Sequence, residues 1–293
     1  MVARAVAHRV AVDGWALAVQ SYAPPDEPVG VVVAGHAMMC DQRTLDRPRG
    51  AGLASVMSAA GLQVYGFDVR GHGQSGPRAA QGGRWSYEDI VEGDVPAMVA
   101  WARLRHPDLP LAVVGHSLVG HAALLWLGQN PEARVDAVLA LAPNLWTRSL
   151  EPDAREWWRK RATMEVWARI TRAFGYFPAR KLGQGTDDEA LDYVLDFVRY
   201  ARSSGIFRAA DGVDYLAGLA RVRPPVLAFV GSRDDHFCRP DSCRRFLAPI
   251  PHHELRVVEG ADHMSLVVGE AYRGVWETGA RWLVERLSPD ASR

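Results

Sequence analysis

Ser117, an aspartate at position 234 or 235, and His263 are the residues whose types and order suit chemistry in this sequence. Ser117 lies in Leu111-Ala-Val-Val-Gly-His-Ser-Leu-Val-Gly120, where a short apolar run ends in Gly115-His116-Ser117 and a helix-like apolar run, Ala122 to Leu127, follows at once. Strand, sharp turn and helix in that order would hold a serine hydroxyl above a helix N-terminus. There, backbone N–H groups and the positive end of the helix dipole can meet a developing oxyanion. A serine nucleophile also needs a base within hydrogen-bond reach and a group that orients the base. Asp234 and Asp235 follow the apolar run Pro225–Gly231, and His263 follows Glu254–Val258. The acid and the base therefore sit just past two later strands, where the catalytic groups of a parallel sheet gather. One position departs from the pattern G-x-S-x-G: Val119 stands where the second glycine belongs, and Gly120 comes one residue late.

The elements that must carry these residues can be read from the apolar pattern. Val10, Val12, Trp15, Leu17 and Val19 alternate around Asp13-Gly14 and predict an antiparallel hairpin over 5–22. Val29–Ala34 is a continuous apolar run, as expected of a strand buried on both faces, and Leu62–Phe67, Val135–Leu141 and Pro225–Gly231 are further predicted strands. Helical spacing lies between them, over about 44–60 and 86–105 and, after the turn at Ser117, to about 129, and later over about 240–247 and 265–287. Ser86, with Asp89 three residues on, is a candidate N-terminal cap. Strands alternating with helices predict an α/β fold with a mostly parallel, doubly wound sheet of about eight strands. The rhythm breaks between 144 and 222, where Trp146, Trp157, Trp158, Trp167, Phe174 and Phe177 accompany many arginines. That stretch predicts several short helices inserted as a cap, leaving a core of 1–143 and 223–293. Most of its aromatics suit the cap's own small core, and its arginines suit a solvated face.

With 34 basic and 34 acidic residues in 293, nothing marks a nucleic-acid or membrane-surface footprint. The three cysteines, Cys40, Cys238 and Cys243, are too few and too scattered for a disulfide framework or a metal site. The N-terminal residues lack the apolar core of a signal peptide, and no run approaches the ~18 apolar residues of a membrane span. The chain thus reads as soluble and cytoplasmic. No cofactor is called for, the expected partner is a small-molecule acyl substrate, and a homodimer is compatible with the sequence.

Serine, acid and histidine in this chain order resemble the α/β-hydrolase superfamily. The turn Asp68-x-Arg-Gly-x-Gly-x-Ser75 and the turn Gly260-x-x-His263 resemble it too. The stretch Phe174-Gly-Tyr-Phe-Pro-Ala-Arg-Lys-Leu-Gly183 is similar to a group of bacterial hydrolases near the serine-aminopeptidase and monoglyceride-lipase-like branch. The resemblance spans roughly 5–287. It implies a Ser-His-Asp triad that cleaves a small to medium ester or thioester through an acyl-enzyme. An acyltransferase with the same triad and a ligand-binding pseudo-hydrolase, motivated by Val119, are the alternatives. The Asp-His-Phe pattern after the acid points to Asp235, whereas counting from Gly231 points to Asp234, so Asp235 is the expected acid and Asp234 its alternative. For the oxyanion, the N–H of Leu118 follows the nucleophile directly. The superfamily's His-Gly-x loop corresponds here to Gly35-His36-Ala37, which implies Ala37 as the second donor and Met38 as its alternative. Met38, His116 and Trp146 are candidates for the substrate pocket. His72, in the Asp-x-Arg-Gly turn, is expected to be structural. For Val119 the expectation is that Gly120 supplies the missing space.

Overall fold

This computed structural model describes residues 6–202, 209 and 211–288. Its main sheet has eight strands: β1 (Val6–Val12), β2 (Trp15–Tyr22), β3 (Gly30–Gly35), β4 (Leu62–Phe67), β5 (Leu111–His116), β6 (Ala137–Leu141), β9 (Val226–Gly231) and β10 (His253–Val258). A separate two-stranded pair, β7 (Tyr176–Phe177) and β8 (Glu189–Ala190), lies between β6 and β9 in the chain. The main order is β1-β2-β4-β3-β5-β6-β9-β10, antiparallel for the first three strands and parallel from β4 onward. The hairpin turns at Asp13 and Gly14, both with positive φ, as its two-residue turn requires.

The continuous apolar runs are explained by what each face meets. Val31 and Val33 of β3 enter one core cluster, and Val32 and Ala34 enter the other. Strand β9 divides in the same way: Val226, Ala228 and Val230 face one side, Leu227 and Phe229 the other. Because strand side chains alternate, a strand covered on both faces must be apolar at every position. Helices α1 (Leu53–Ala59) and α8 (Arg273–Leu287) cover one face, and α2 (Val95–Arg105) and α3 (Leu118–Gln129) cover the other. From β3 the chain steps outward to β4, then returns to β5 on the opposite side of β3. The carboxyl ends of β3 and β5 therefore flank a topological switch point, the usual crevice of such sheets.

Three elements differ from the sequence reading. The helix expected over 44–60 starts as a 3-10 turn, Gln42–Asp46, and resumes only at Leu53. Pro48 and the run Gly50-Ala51-Gly52 interrupt it, and the Asp46 carboxylate takes the freed N–H groups of Gly50 and Gly52 together with the Ser55 hydroxyl. The last helix begins at Arg273 rather than 265, because Asp262 first folds 262–265 into a side-chain-capped turn. The stretch expected to hold several short helices instead contains α4 (Ala154–Phe174), 21 residues long, followed by α5 (Leu191–Arg202) and α6 (Tyr215–Gly218). Asp153 caps the start of α4 by accepting from Arg155 and Glu156, and Gly175 ends it with φ +78°. Its buried side, Trp157, Lys160, Met164, Trp167, Ala168 and Thr171, keeps helical spacing throughout. Helix α7 (Pro240–Leu247) follows the loop after β9.

Candidate functional site

Every candidate residue except His116, the last residue of β5, stands past the carboxyl end of a parallel strand. Ser117 leaves β5 with φ +48° and ψ −102°. Such a backbone costs roughly 1–3 kcal/mol and persists only where its surroundings over-determine it. Here its N–H donates to the Leu141 carbonyl of the neighbouring strand at 2.8 Å, and its carbonyl accepts from His121 in the first turn of α3 at 2.9 Å. The turn also needs two backbones in close contact. A Cβ on Gly115 would lie 2.2 Å from the Gly120 nitrogen, so Gly120 serves the approach of strand to helix. The space for Val119 comes from elsewhere. A Cβ on Gly35, at the end of β3, would stand 2.5 Å from both Val119 methyl carbons. This corrects the expectation that Gly120 accommodates Val119: the valine fills a hollow left by a glycine two strands away in sequence, and the tight turn survives.

The acid is also corrected. Asp234, not Asp235, meets the histidine: His263 Nδ1 donates to Asp234 Oδ2 at 2.5 Å. The turn after β9 decides this. Asp234 N–H donates to the Gly231 carbonyl, and Asp234 Oδ1 accepts from the N–H groups of Phe237 and Cys238 at 3.0 and 2.9 Å. These bonds draw Asp234 inward and leave its neighbour Asp235 exposed on the outside of the turn. The loops after β9 and β10 are zipped together by Ser232 N–H to Val258 O, Arg233 N–H to Ala261 O, and Gly260 N–H to Ser232 Oγ. Burial by itself would raise the Asp234 carboxyl. The His263 hydrogen bond and charge, with the two backbone donors, outweigh it and hold the group below the usual carboxylate range.

His263 lies beside the turn at Ser117. Its ring packs on that of His116, centroids 4.9 Å apart, and its carbonyl accepts from His116 Nε2 at 3.0 Å. The hydrogen bonds of His263 among the described residues run to Asp234 and His116 and not to Ser117 Oγ, and a nucleophile–base contact often tightens only when substrate binds. His116 is fully buried behind the site and does not line the pocket, which corrects its candidacy there. Successive residues at the strand end point to opposite sides, so Ser117 faces the cleft and His116 faces away. Burial, then the nearby His263, push the His116 imidazole down to about 3.

Past β3, the loop His36–Met39 faces the turn. Neither Ala37, Met38 nor Leu118 uses its backbone N–H in a hydrogen bond among the described residues. His36 shapes the loop: its Nδ1 donates to the Ala37 carbonyl at 2.8 Å, and its Nε2 accepts from Val69 N–H at 3.1 Å. That pair of bonds requires the neutral ring, in keeping with a value lowered by burial and by His72.

A narrow cleft opens onto Ser117. Its volume, counting the part open to solvent, is about 550 Å³. Met38 and Trp146 line it, together with Trp167, Tyr193 and Phe197 from α4 and α5. His121 and Asn144 line it as well, and the sequence reading missed both. His121 comes four residues after Ser117, so helical periodicity alone would have put it on the same face. It is buried, its Nδ1 pairs with Tyr87 Oη at 2.6 Å, and burial followed by His263 pushes it down to about 3. Asn144 Nδ2 donates to the Phe237 carbonyl at 3.1 Å, and its buried Oδ1 has no partner among the described residues.

The family described as serine aminopeptidase, S33 matches residues 47–270, a span that holds Ser117, Asp234 and His263. The chain belongs to that family. Its fold is that of the α/β hydrolases: a monoglyceride lipase from Saccharomyces cerevisiae superposes with a TM-score of 0.68 at 16% identity, covering 96% of this chain and 95% of that one. The esterase Est1E from Butyrivibrio proteoclasticus, whose structure holds ferulic acid, gives 0.67 at 15% identity over 95% and 98%. In sequence, this family member is 36% identical over 122 residues to a monoacylglycerol lipase of Mycolicibacterium smegmatis, a stretch that spans 41% of this chain and 40% of that protein. Among the described residues, no helix is long and apolar enough to cross a membrane.

Proposed function

We propose that the protein is a serine hydrolase of carboxylic esters or thioesters of small to medium size, working through an acyl-enzyme. The observation that carries this reading is the Asp234–His263 hydrogen bond beside the strained Ser117 turn. In the reaction, His263 Nε2 takes the Ser117 proton as Oγ attacks the acyl carbon. Asp234 fixes the Nδ1–H tautomer and stabilises the imidazolium that results. The tetrahedral oxyanion is received by the N–H of Leu118 and by that of Ala37, with Met38 as the alternative. The free state of these donors supports the assignment, and one such donor is worth roughly 3–4 kcal/mol in the transition state. His263 then protonates the leaving alcohol or thiol, and water repeats the sequence on the acyl-enzyme. The aromatic walls suit an acyl chain or a ring, and the partial likeness to a monoacylglycerol lipase supports an ester rather than a peptide. Residues 144–222 act as the cap over this cleft.

A fluorophosphonate probe tests the reading directly. The native chain should be labelled at Ser117 and should turn over p-nitrophenyl esters of graded length, with water as acceptor. An unlabelled native chain beside a labelled control hydrolase would sink it. Product analysis with added alcohols separates hydrolysis from acyl transfer.

A further inference from the structure

Beyond Asp234, the reaction above leaves several buried carboxylates without a task, Glu189 among them. Glu189, in β8 of the segment over the site, is fully buried and does not line the cleft. Its Oε1 accepts from the backbone N–H of Met39 at 2.6 Å and from His72 Nε2 at 3.1 Å. Met39 directly follows Ala37-Met38, the residues whose N–H groups are free to receive an oxyanion. The other side of Met39 is held by the same segment: its carbonyl accepts from Thr186 N–H at 2.8 Å and Asp187 N–H at 3.1 Å. Gly185 presses so closely on this residue that a Cβ there would lie 2.2 Å from the Met39 oxygen. Met39 itself adopts φ +58°, which residues other than glycine rarely take. A short stretch, 185–189, thus grips both polar groups of a single residue in the oxyanion loop and keeps it in an unfavourable conformation.

We propose that Glu189 is a positioning residue of the reaction: anchored by His72, it fixes Met39 and so aims the N–H groups of Ala37 and Met38 at the oxyanion. The proposal rests on the serine-hydrolase reading and deepens it. The anchor is itself well held. His72 Nδ1 donates to the Arg70 carbonyl at 2.9 Å, so both ring nitrogens act as donors and the ring carries a proton. Burial alone would strip that proton, but the Glu189 carboxylate outweighs it and raises His72 to about 9. Asp187 adds a second tie to the same turn by accepting from Gly73 N–H at 2.9 Å. The segment over the cleft is therefore more than a wall. The oxyanion donors are in place only when 185–189 is seated on the core.

The test separates positioning from simple support of the fold. Glu189→Ala should lower kcat roughly 10- to 100-fold, since displacement by about 1 Å carries a penalty of that size, while KM stays within about threefold. Phosphonylation of Ser117 should slow in parallel, because the phosphonate oxygen uses the same donors. Glu189→Gln keeps an acceptor for Met39 N–H and should recover most of the rate. Gly185→Ala, which leaves the carboxylate intact but pushes on the Met39 oxygen, should lower kcat in the same way, and it carries the test if Glu189→Ala fails to fold. Folded variants of both kinds with kcat within about twofold of the native value, or with only KM or melting temperature changed, would overturn the proposal and leave the hydrolase reading standing. A native chain with neither turnover nor labelling would overturn that reading, and this one with it.

Discussion

The turn at Ser117 and the loop at Ala37–Met39 are the two halves of the proposed oxyanion site, and they are built in opposite ways. The first is local. Strand β5, the positive-φ serine and helix α3 are consecutive, and the Gly115–Gly120 contact that permits the turn lies within it. The second is assembled from a distance. His36 braces it from within, but Met39 is held by Glu189, 150 positions later in the chain. A local device follows from the backbone geometry of a few residues. A distant one exists only once the segment after β6 has docked.

Removing the nucleophile from the local half should have the largest effect. Ser117→Ala should abolish phosphonate labelling and lower ester turnover by about 10⁴-fold or more, with the fold intact by circular dichroism. Next comes the acid. Asp234→Asn should lower kcat by about 10³–10⁴-fold through loss of the correct His263 tautomer, whereas Asp235→Asn should stay within about twofold. Equal losses at the two positions would contradict the turn geometry described above.

The fit between the two halves is open to a double-mutant cycle. Gly35→Ala places a methyl against Val119 and should cost about 1–3 kcal/mol in urea unfolding, and adding Val119→Gly should recover much of it. Additive costs would mean that the valine does not depend on the glycine at the end of β3. The distant half has a pH signature. His72 rises from 6.5 to about 9 in the folded chain, so its stabilising contribution is complete below pH 6.5 and declines as pH rises through about 9. Melting temperature should fall across that window, and Glu189→Gln should flatten the fall by about 2–4 °C.

The fold was legible because strands buried on both faces leave continuous apolar runs, and helices between them leave a different period. Val29–Ala34 and Pro225–Gly231 are examples that needed no partner to be read. Ser117, Leu118 and His263 could likewise be placed, because a strand end is visible in sequence and sites gather at strand ends. The 21-residue helix α4 was harder. Its many tryptophans and arginines obscured a regular buried side, although Asp153 and Gly175 marked both ends.

What sequence alone determined, then, is which residues stand at the crevice: serine, acid loop and histidine, each at the end of a strand whose pattern is written in its own neighbours. Tertiary structure decided which of them face inward and what holds them there. Asp234 and Asp235 are adjacent and chemically identical, and only the bonds from Phe237 and Cys238 turn one of them toward His263. Val119 looked like a defect until Gly35 was brought beside it, and Glu189 had no evident purpose until it reached Met39. Those pairings depend on contacts between residues far apart in the chain, and no local spacing encodes them.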